Sequence, residues 1–254
     1  MRHVPTLLFR ELGAYFLGPM AYLVLLAFQV IAFLNFWELV DTLRQPQREY
    51  SSLRDPMLTY VSGSPGFWIA VLVAVPVLTM RLLAEERRSG TIETLLTLPV
   101  TEAEIVVAKW LAGVVMFWAL LIPFAVYLPF LYYQARFYFD VGPVVALAIG
   151  LTTMGMMFMA IGVLFSSMTR NQIIAAVWTF VVLFFMIVMV PLVHLFGVRQ
   201  RAGWAEGVRF SSVLYQIQSL GLGQLDLRYL ALHLSVCVFV LTLTVKVLEA
   251  RANP

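Results

Sequence analysis

Charge is scarce in this chain. Asp, Glu, Lys and Arg make up 12% of its 254 residues, whereas hydrophobic residues make up 61%. A soluble domain usually carries about 25% charged residues. The few charges here cluster between long apolar runs, which is the pattern of a chain that crosses a bilayer several times. The composition therefore excludes an ordinary soluble domain and predicts an all-α polytopic membrane protein in contact with lipid.

Other absences exclude whole classes of function. Cys237 is the only cysteine, so an intrachain disulfide is excluded. The net charge of +3 is small, and no basic patch interleaved with aromatic residues is present, so nucleic acid is not expected as a partner. HExxH, paired-carboxylate and GxSxG motifs are missing, which predicts no catalytic residue and no metal site. The chain also lacks a P-loop, so any energy from ATP must enter through another chain.

Two sets of residues could be taken for metal ligands. The run TTMGMMFMAIG is rich in thioethers, which suit Cu(I), but its methionines do not share one helix face, so core packing is favoured. His194 and His233 are isolated near the ends of apolar runs, where a packed or interfacial histidine is favoured over a ligand. We therefore expect no cofactor in this chain.

Six apolar runs predict six transmembrane helices, because about 20 residues cross the hydrocarbon core. Pro76, Pro123 and Pro129 interrupt them, and each indicates either a packing kink or a hinge. No charge lies near the centre of a span. Arg81, Lys109 and Lys246 lie near span ends, where a long side chain can snorkel to water. The predicted spans are residues 15–36, 67–83, 105–132, 141–168, 173–196 and 229–248.

Orientation cannot be assigned from charge. An even number of spans puts both termini on one side, and the 17 Lys and Arg residues then divide nine to eight between the two sides. The positive-inside rule needs a clear excess in short loops.

Residues 85–104 form a polar insert between the second and third spans that is too long for a simple turn. Gly90 breaks the preceding helix, GTIETLLTLP then predicts a short amphipathic helix, and Pro99 ends it. Thr101 and Glu104 form a capping box that starts the third span. On physical grounds alone, this helix either rests on lipid headgroups or serves as a contact element for another protein.

Residues 197–228, between the fifth and sixth spans, are less polar than a solvated loop. The spacing of apolar residues after Arg209 predicts an amphipathic helix of about 11 residues, or roughly 16 Å, which is too short to cross the bilayer. Its polar side would carry Ser211, Ser212, Gln216 and Gln218. Gly221 and Gly223 would end it, and Asp226 would cap the sixth span. Two interpretations stay open: a surface helix on lipid, or a re-entrant outer gate formed by Phe210, Val213, Leu214, Ile217 and Leu220.

The polar insert resembles the first cytoplasmic loop of ABC-2 type permeases. Those proteins share an E-x-x-x-G-T-[IL]-E-x-L-L-x-x-P-[VI]-[ST] run, and EERRSGTIETLLTLPVT matches it. RELGAYFLGPMAY (10–22) is similar to the elbow helix of the family, which we assign to residues 1–14 with Arg10 and Glu11. Residues 210–251 resemble the end of the branch that contains gliding-motility and nitrous-oxide-reductase-maturation permeases.

The resemblance implies a single ABC-2 transmembrane domain over residues 1–254. It further implies a permease of the exporter type that works as a homodimer with two copies of an ABC ATPase subunit. An extracytoplasmic accessory protein is a further partner that the resemblance allows. ATP and Mg would bind the ATPase, not this chain. The protein would lie in the inner (cytoplasmic) membrane with both termini in the cytoplasm. The implied ATPase-coupling residues are Glu85, Glu86, Arg87, Arg88, Gly90, Thr91, Ile92, Glu93, Leu95, Leu98 and Pro99.

For the dimer, the resemblance places the first and fifth spans near the interface. Gly155, Ala160 and Gly162 on the fourth span are small residues that permit close helix approach. Two other functions stay open: a membrane scaffold subunit that moves no substrate, and a secondary transporter. The absence of charges inside the spans weighs against the secondary transporter. An adjacent gene for an ATPase with a P-loop, or copurification with ATPase activity, would favour the permease.

Overall fold

The computed structural model describes residues 3–44, 60–61, 63–90, 100–135, 141–195, 207 and 210–252. Within these ranges the protein is helical and contains no strand. The helices, in chain order, are α1 (Val4–Leu17), α2 (Pro19–Arg44), α3 (Pro65–Thr79), α4 (Ala84–Ser89), α5 (Glu102–Ala135), α6 (Val141–Met168), α7 (Gln172–Leu195), α8 (Val213–Gly221) and α9 (Leu227–Ala252).

Each of the six predicted spans is mainly helical over its described residues. Within the described residues, five helical stretches are long and apolar enough to cross a membrane: Pro19–Asp41, Pro65–Ser89, Glu102–Tyr127, Val141–Met168 and Leu227–Ala250. The predicted fifth span is the 24-residue helix α7, whose apolar stretch Gln172–Val188 is shorter. The fold is therefore that of a polytopic all-α membrane protein.

The first span begins later than predicted, and the helix before it is longer. Residue 15 was expected inside the span, but Tyr15 belongs to α1, which runs to Leu17 rather than ending at residue 14. Gly18 then has φ −95° and ψ 143°, and α2 starts at Pro19. A residue that precedes proline is driven out of the α conformation by the proline ring, which explains the break.

Tyr15 also fixes α1 against α3. Its hydroxyl donates to the carbonyl of Leu78 at 2.7 Å. Leu78 lies in the last turn of α3, where carbonyl groups have no partner within the helix. Burial raises the pKa of the Tyr15 hydroxyl, which therefore remains a donor. The contact satisfies a helix-end carbonyl and holds α1 beside the bundle.

The helix of the second span ends at Thr79, before the predicted end of the span at residue 83. Pro76 lies inside α3, and residues 80–83 form a turn before α4 begins at Ala84. Gly90 ends α4 with φ 75°, a left-handed conformation that favours glycine, so the predicted helix break is confirmed. Thr101 and Glu104 form the predicted capping box: each backbone N–H donates to the other side chain at 3.3 Å.

α6 is the central helix, because it packs against α3, α5, α7, α8 and α9. Its glycines allow side chains of neighbouring helices to approach its backbone. A Cβ at Gly150 would lie 2.2 Å from Leu220, one at Gly155 would lie 2.2 Å from Phe117, and one at Gly162 would lie 2.2 Å from Thr79. The predicted close approach is therefore used within the protomer. Met154, Met157 and Met159 are buried in the core, as packing residues would be.

Candidate functional site

A buried lysine joins three segments at the end of the bundle that carries α4. Lys109, seven residues into α5, has a side chain only 2% exposed. Its Nζ lies 3.1 Å from Glu11 Oε1 on α1 and 2.8 Å from Glu86 Oε1 on α4. The expectation that Lys109 snorkels to water was wrong. The two carboxylates hold the ammonium group inside the bundle, because burial of a charge is tolerated when it is paired and hydrogen-bonded.

Arg10 completes the group, which we call the lysine cluster (Arg10, Glu11, Glu86 and Lys109). The Arg10 guanidinium lies 3.1 Å from Glu11 Oε1 and 3.6 Å from Glu86 Oε1. Two basic and two acidic side chains balance in charge. The carboxylates retain a little exposure, 12% for Glu11 and 17% for Glu86. The cluster thus lies at the border between the packed interior and solvent.

Ser166 attaches the same region to the last turn of α6. Its hydroxyl oxygen accepts from the backbone N–H groups of Leu83 and Ala84, both at 3.0 Å, and its proton is donated to the carbonyl of Met80 at 3.1 Å. One buried hydroxyl therefore satisfies three backbone groups of the turn between α3 and α4. Arg87 adds a further bond, because its Nη1 donates to the carbonyl of Ser167.

The described coupling residues divide into two groups. Glu86 and Arg87 point into the protomer, toward Lys109 and Ser167 respectively. Glu85 and Arg88 are exposed, and Glu85 Oε2 pairs with Arg81 Nε at 2.9 Å across one helical turn. Gly90 is also exposed. Contact of this group with an ATPase stays a prediction. The remaining predicted coupling residues lie outside the described residues: Thr91, Ile92, Glu93, Leu95, Leu98 and Pro99.

Sequence reasoning missed the lysine cluster. Glu11 was assigned to the elbow helix and Glu86 to the coupling loop, and Lys109 was treated as a span-end cation. The signal that could have joined them is the position of Lys109, about two turns, or roughly 10 Å at 1.5 Å per residue, from the start of its helix at Glu102. A lysine at that depth needs a carboxylate partner. The acidic residues nearest to the same membrane edge are those at the ends of neighbouring segments.

The predicted outer helix forms at the opposite end of the bundle. It is α8, and Ser212 caps it by accepting from the N–H of Tyr215 at 3.4 Å. Of the predicted gate residues, Val213, Ile217 and Leu220 are buried, whereas Phe210 and Leu214 are partly exposed. The helix therefore starts three residues later than the spacing predicted.

The ends of α8 and α9 follow the sequence. Gly221 is the last residue of α8, and Gly223 has φ 77°. Asp226 caps α9 as predicted, because its Oδ1 accepts from the N–H of Arg228 at 2.9 Å. The side chain of Arg228 lies 2.8 Å from Asp226 Oδ2, and these hydrogen bonds hold the pKa of Asp226 below its usual value.

One residue of α8 was placed on the wrong face. Gln216 was predicted on the polar side of the helix, but it is 1% exposed. Its Nε2 donates to the carbonyl of Phe210 at 2.6 Å, and its Oε1 lies 2.8 Å from His233 Nε2. Internal hydrogen bonds thus replace the water that a glutamine would otherwise require. His233 is a packed histidine, as expected.

A cavity of about 260 Å³ opens between α5 and α6 at the same end. The two helices touch where Phe117 meets Gly155, and the cavity lies beyond that contact, where they diverge. Its wall is almost entirely apolar and includes Trp118, Leu147 and Tyr60. Such a wall accommodates hydrocarbon and offers no group that would bind an ion.

No group of three or more His, Cys, Asp or Glu side chains with the arrangement of a metal site occurs in the part of the chain that the structure describes. Cys237 is buried on α9, with its Sγ 3.6 Å from the carbonyl of Met156. The polar chemistry of the described residues is therefore concentrated in the lysine cluster and around His233.

Comparison with known proteins gives one family. No curated protein sequence matches this chain at a significant level. The model of the family described as ABC-2 family transporter protein matches residues 16–244, which cover most of the chain. Members of this family are membrane subunits, and ATP hydrolysis takes place on a partner ATPase. The chain belongs to the ABC-2 transporter family and is the multi-pass membrane subunit of an ABC transporter.

Proposed function

We propose that this chain is an exporter permease that works as a homodimer with two ATPase subunits, and that the lysine cluster transmits the state of the ATPase to the spans. ATP and Mg bind the ATPase partners. Both termini and residues 85–104 face the cytoplasm across the inner (cytoplasmic) membrane. An accessory protein on the other side is compatible with this arrangement. The two remaining functions, scaffold and secondary transporter, gain no support from the described residues.

The observation that carries the proposal is the attachment of α4. This short helix leads directly into residues 91–99, the predicted contact with the ATPase. Glu86 ties it to α1 and α5 through Lys109, and Ser166 ties its first residues to α6. A displacement of the insert therefore displaces three other helices as well.

The strength of these attachments suits a transmission element. Removal of one member of a buried ion pair typically destabilises a protein by about 3–5 kcal/mol, because the remaining charge is left without a partner. The carboxylates of Glu11 and Glu86 keep some exposure, which reduces this figure. Ion pairs of this strength keep α4 attached to α1 and α5 while the insert moves. The attachment matters because a ligand shifts the permease only through contacts that differ between its two states.

Exposed apolar faces on α2 and α7 support the homodimer. Leu23, Leu26 and Trp37 on α2 are exposed, as are Ile173, Trp178 and Phe185 on α7. In a membrane, lipid covers such faces as well as protein does, so exposure alone does not identify the interface. The resemblance of the chain to the family favours a second copy on these two helices.

The test of transmission uses α4 itself. Cys237→Ser removes the only cysteine, and Arg88→Cys then provides one label in each copy of the intact complex with its ATPase. We expect the label-to-label distance, measured by pulsed electron paramagnetic resonance, to change when a non-hydrolysable ATP analogue is added. Leu234→Cys, on a lipid-facing part of α9, is the control for general distortion. A distance at Arg88→Cys that ignores nucleotide in an active complex would contradict the proposal.

Orientation is tested separately. GFP fused after Pro254 becomes fluorescent in the cytoplasm, so we expect fluorescent cells. An inserted but dark fusion would put the termini on the other side of the membrane.

A further inference from the structure

Three polar side chains connect α6, α8 and α9 at the end of the bundle opposite the lysine cluster, and two of them, His233 and Gln216, are buried. His233 on α9 is 1% exposed. Its Nδ1 lies 3.1 Å from Thr153 Oγ1 on α6, and its Nε2 lies 2.8 Å from Gln216 Oε1 on α8. Gln216 Nε2 then donates to the carbonyl of Phe210 at 2.6 Å. We call these three side chains the histidine chain (Thr153, His233 and Gln216).

The direction of each hydrogen bond follows from its neighbour. A backbone carbonyl only accepts, so the amide nitrogen of Gln216 faces Phe210 and the amide oxygen faces His233. That oxygen needs a donor, so His233 carries its proton on Nε2. In the neutral ring Nδ1 is then an acceptor, and the hydroxyl of Thr153 shares its proton between this nitrogen and the carbonyl of Gly150 in its own helix, each at 3.1 Å. Every polar atom along this path has a partner suited to its role.

The histidine chain adds directionality to apolar packing. Leu220 of α8 lies against Gly150 of α6, and Ile217 is fully buried. Apolar contacts of this kind weaken gradually as a helix shifts. Hydrogen bonds are lost within a small displacement, and an unpaired polar group in an apolar interior is costly. Helix α8 is therefore stable in its present position, where these hydrogen bonds are made. It is also stable far enough away for water to reach the polar groups, but it is unstable between these two positions.

We infer that Thr153, His233 and Gln216 are positioning residues that hold α8 in its closed position, and that opening of the outer gate requires the histidine chain to break. This inference rests on the proposed function and on the interpretation of α8 as the outer gate of the permease. The amide group of Gln216 forms hydrogen bonds with both His233 and Phe210. When this amide is released, α8 and Phe210, two residues before the N-cap Ser212, are therefore freed together. The histidine chain thereby gives the gate two discrete states.

The test measures how often α8 opens. The intact complex with its ATPase carries Cys237→Ser and a reporter, Ile217→Cys, whose buried side chain reacts with a water-soluble maleimide only when α8 moves. Thr153→Val removes the hydroxyl at nearly constant shape. We expect it to raise the labelling rate without nucleotide by about tenfold, which corresponds to roughly 1.4 kcal/mol. Thr153→Ser keeps the hydroxyl and should restore a rate within about twofold of the parent.

Thr244→Val is the matched control. Thr244 is fully buried, whereas Thr153 is half-buried, and within the described residues the Thr244 hydroxyl donates at 2.8 Å to the carbonyl of Val240 in its own helix. Loss of that bond should leave labelling unchanged. The double variant Thr153→Val with Gln216→Leu should label at most about twice as fast as the faster single variant, because both break the same chain. Thermal stability measured in parallel separates a general loss of structure from release of α8.

The outcomes distinguish the inference from the proposed function. If nucleotide changes labelling in the parent but Thr153→Val does not, the gate stands and the histidine chain is not its latch. If Thr244→Val accelerates labelling as much as Thr153→Val, the effect is a general loss of structure and the inference fails. If nucleotide leaves labelling of the parent unchanged in an active complex, α8 is not a gate and the inference fails, whereas the proposed function is judged separately by the Arg88→Cys distance.

Discussion

The two ends of the bundle are held together by different chemistry. The α4 end uses full charges, with Lys109 between Glu11 and Glu86, and those carboxylates keep 12% and 17% exposure. The α8 end uses neutral groups, and both His233 and Gln216 are 1% exposed. A charge is costly to bury even when it is paired, whereas a neutral group is tolerated once its hydrogen bonds are made. The buried ammonium group of Lys109 is therefore paired with carboxylates that still reach solvent, whereas His233 and Gln216 are both closed off from it.

The comparison also separates two mechanical roles. Ion pairs act over several ångströms, so the lysine cluster stays attractive while α4 shifts slightly. The hydrogen bonds of the histidine chain end abruptly. A region that transmits motion benefits from the first property, and a region that switches benefits from the second. The following predictions test this contrast, from the largest expected effect to the smallest.

Lys109→Met should have the largest effect. It leaves two carboxylates next to each other without the ammonium group that pairs with both, so we expect a loss near the lower end of the roughly 3–5 kcal/mol typical of a broken buried pair. The melting temperature of the purified protein in detergent measures it. Lys246→Met is the matched control, because Lys246 pairs with Glu249 on the surface, where such pairs contribute about 0–1 kcal/mol. Adding Glu86→Gln to Lys109→Met should restore part of the loss, and no recovery would contradict charge pairing.

Gly155→Ala tests the close contact between α5 and α6 in the middle of the bundle, where Phe117 lies against Gly155. A Cβ at this position would lie 2.2 Å from the ring of Phe117, so the helices must separate, at a cost of about 1–3 kcal/mol. Thermal melting again measures the change. Phe117→Leu in the same chain should recover stability relative to Gly155→Ala alone. Gly113→Ala is the control, because its Cβ would meet only the flexible side chain of Met159 at 3.3 Å.

Thr101→Ala removes half of the capping box that starts α5. Loss of an N-cap hydroxyl typically costs about 1 kcal/mol, and Lys109 lies two turns further along the same helix. We expect faster hydrogen exchange at residues 101–106, measured by mass spectrometry, with little change at α8. Thr101→Ser keeps the hydroxyl and should exchange like the parent. Equal acceleration at both ends would show that the ends are not independent.

Asp226→Asn should have the smallest effect, and it depends on pH. Arg228 holds the pKa of Asp226 below its usual value, so the carboxylate stabilises the start of α9 above the unfolded pKa of about 3.9. That contribution is lost as pH falls through the lower folded pKa. Corrected hydrogen exchange at residues 226–230 should therefore rise at acid pH in the parent. In Asp226→Asn it should not depend on pH in this range, and a parallel rise in both would exclude the carboxyl group as the cause.

Much of this fold could be predicted from the sequence, because local signals decide it. The fourth predicted span, 141–168, has the same bounds as α6, and the capping box and the Gly90 break were read from short motifs. The first span was misplaced because its apolar run continues through Tyr15, while the break depends on the Gly18–Pro19 step. These features need only neighbouring residues.

The polar sites could not be predicted in the same way. Lys109 is buried because α1 and α4 bring Glu11 and Glu86 to it from distant parts of the chain. Gln216 was placed on a solvated face because periodicity does not reveal a histidine on another helix. One consequence concerns tests of contact with the ATPase: a charge reversal at Glu86 would also break its pair with Lys109, so the exposed Arg88 is a better position for such a variant.

The glycines of α6 restrict the amino-acid substitutions that this protein can accept during evolution. Gly150, Gly155 and Gly162 each receive a side chain from a different helix, Leu220, Phe117 and Thr79 respectively. A larger residue at any of these glycines becomes acceptable only after its partner has become smaller. We therefore expect substitutions at each pair to occur together and in that order among related sequences. Exposed positions on α7, such as Val177 and Phe185, are free to exchange one apolar residue for another.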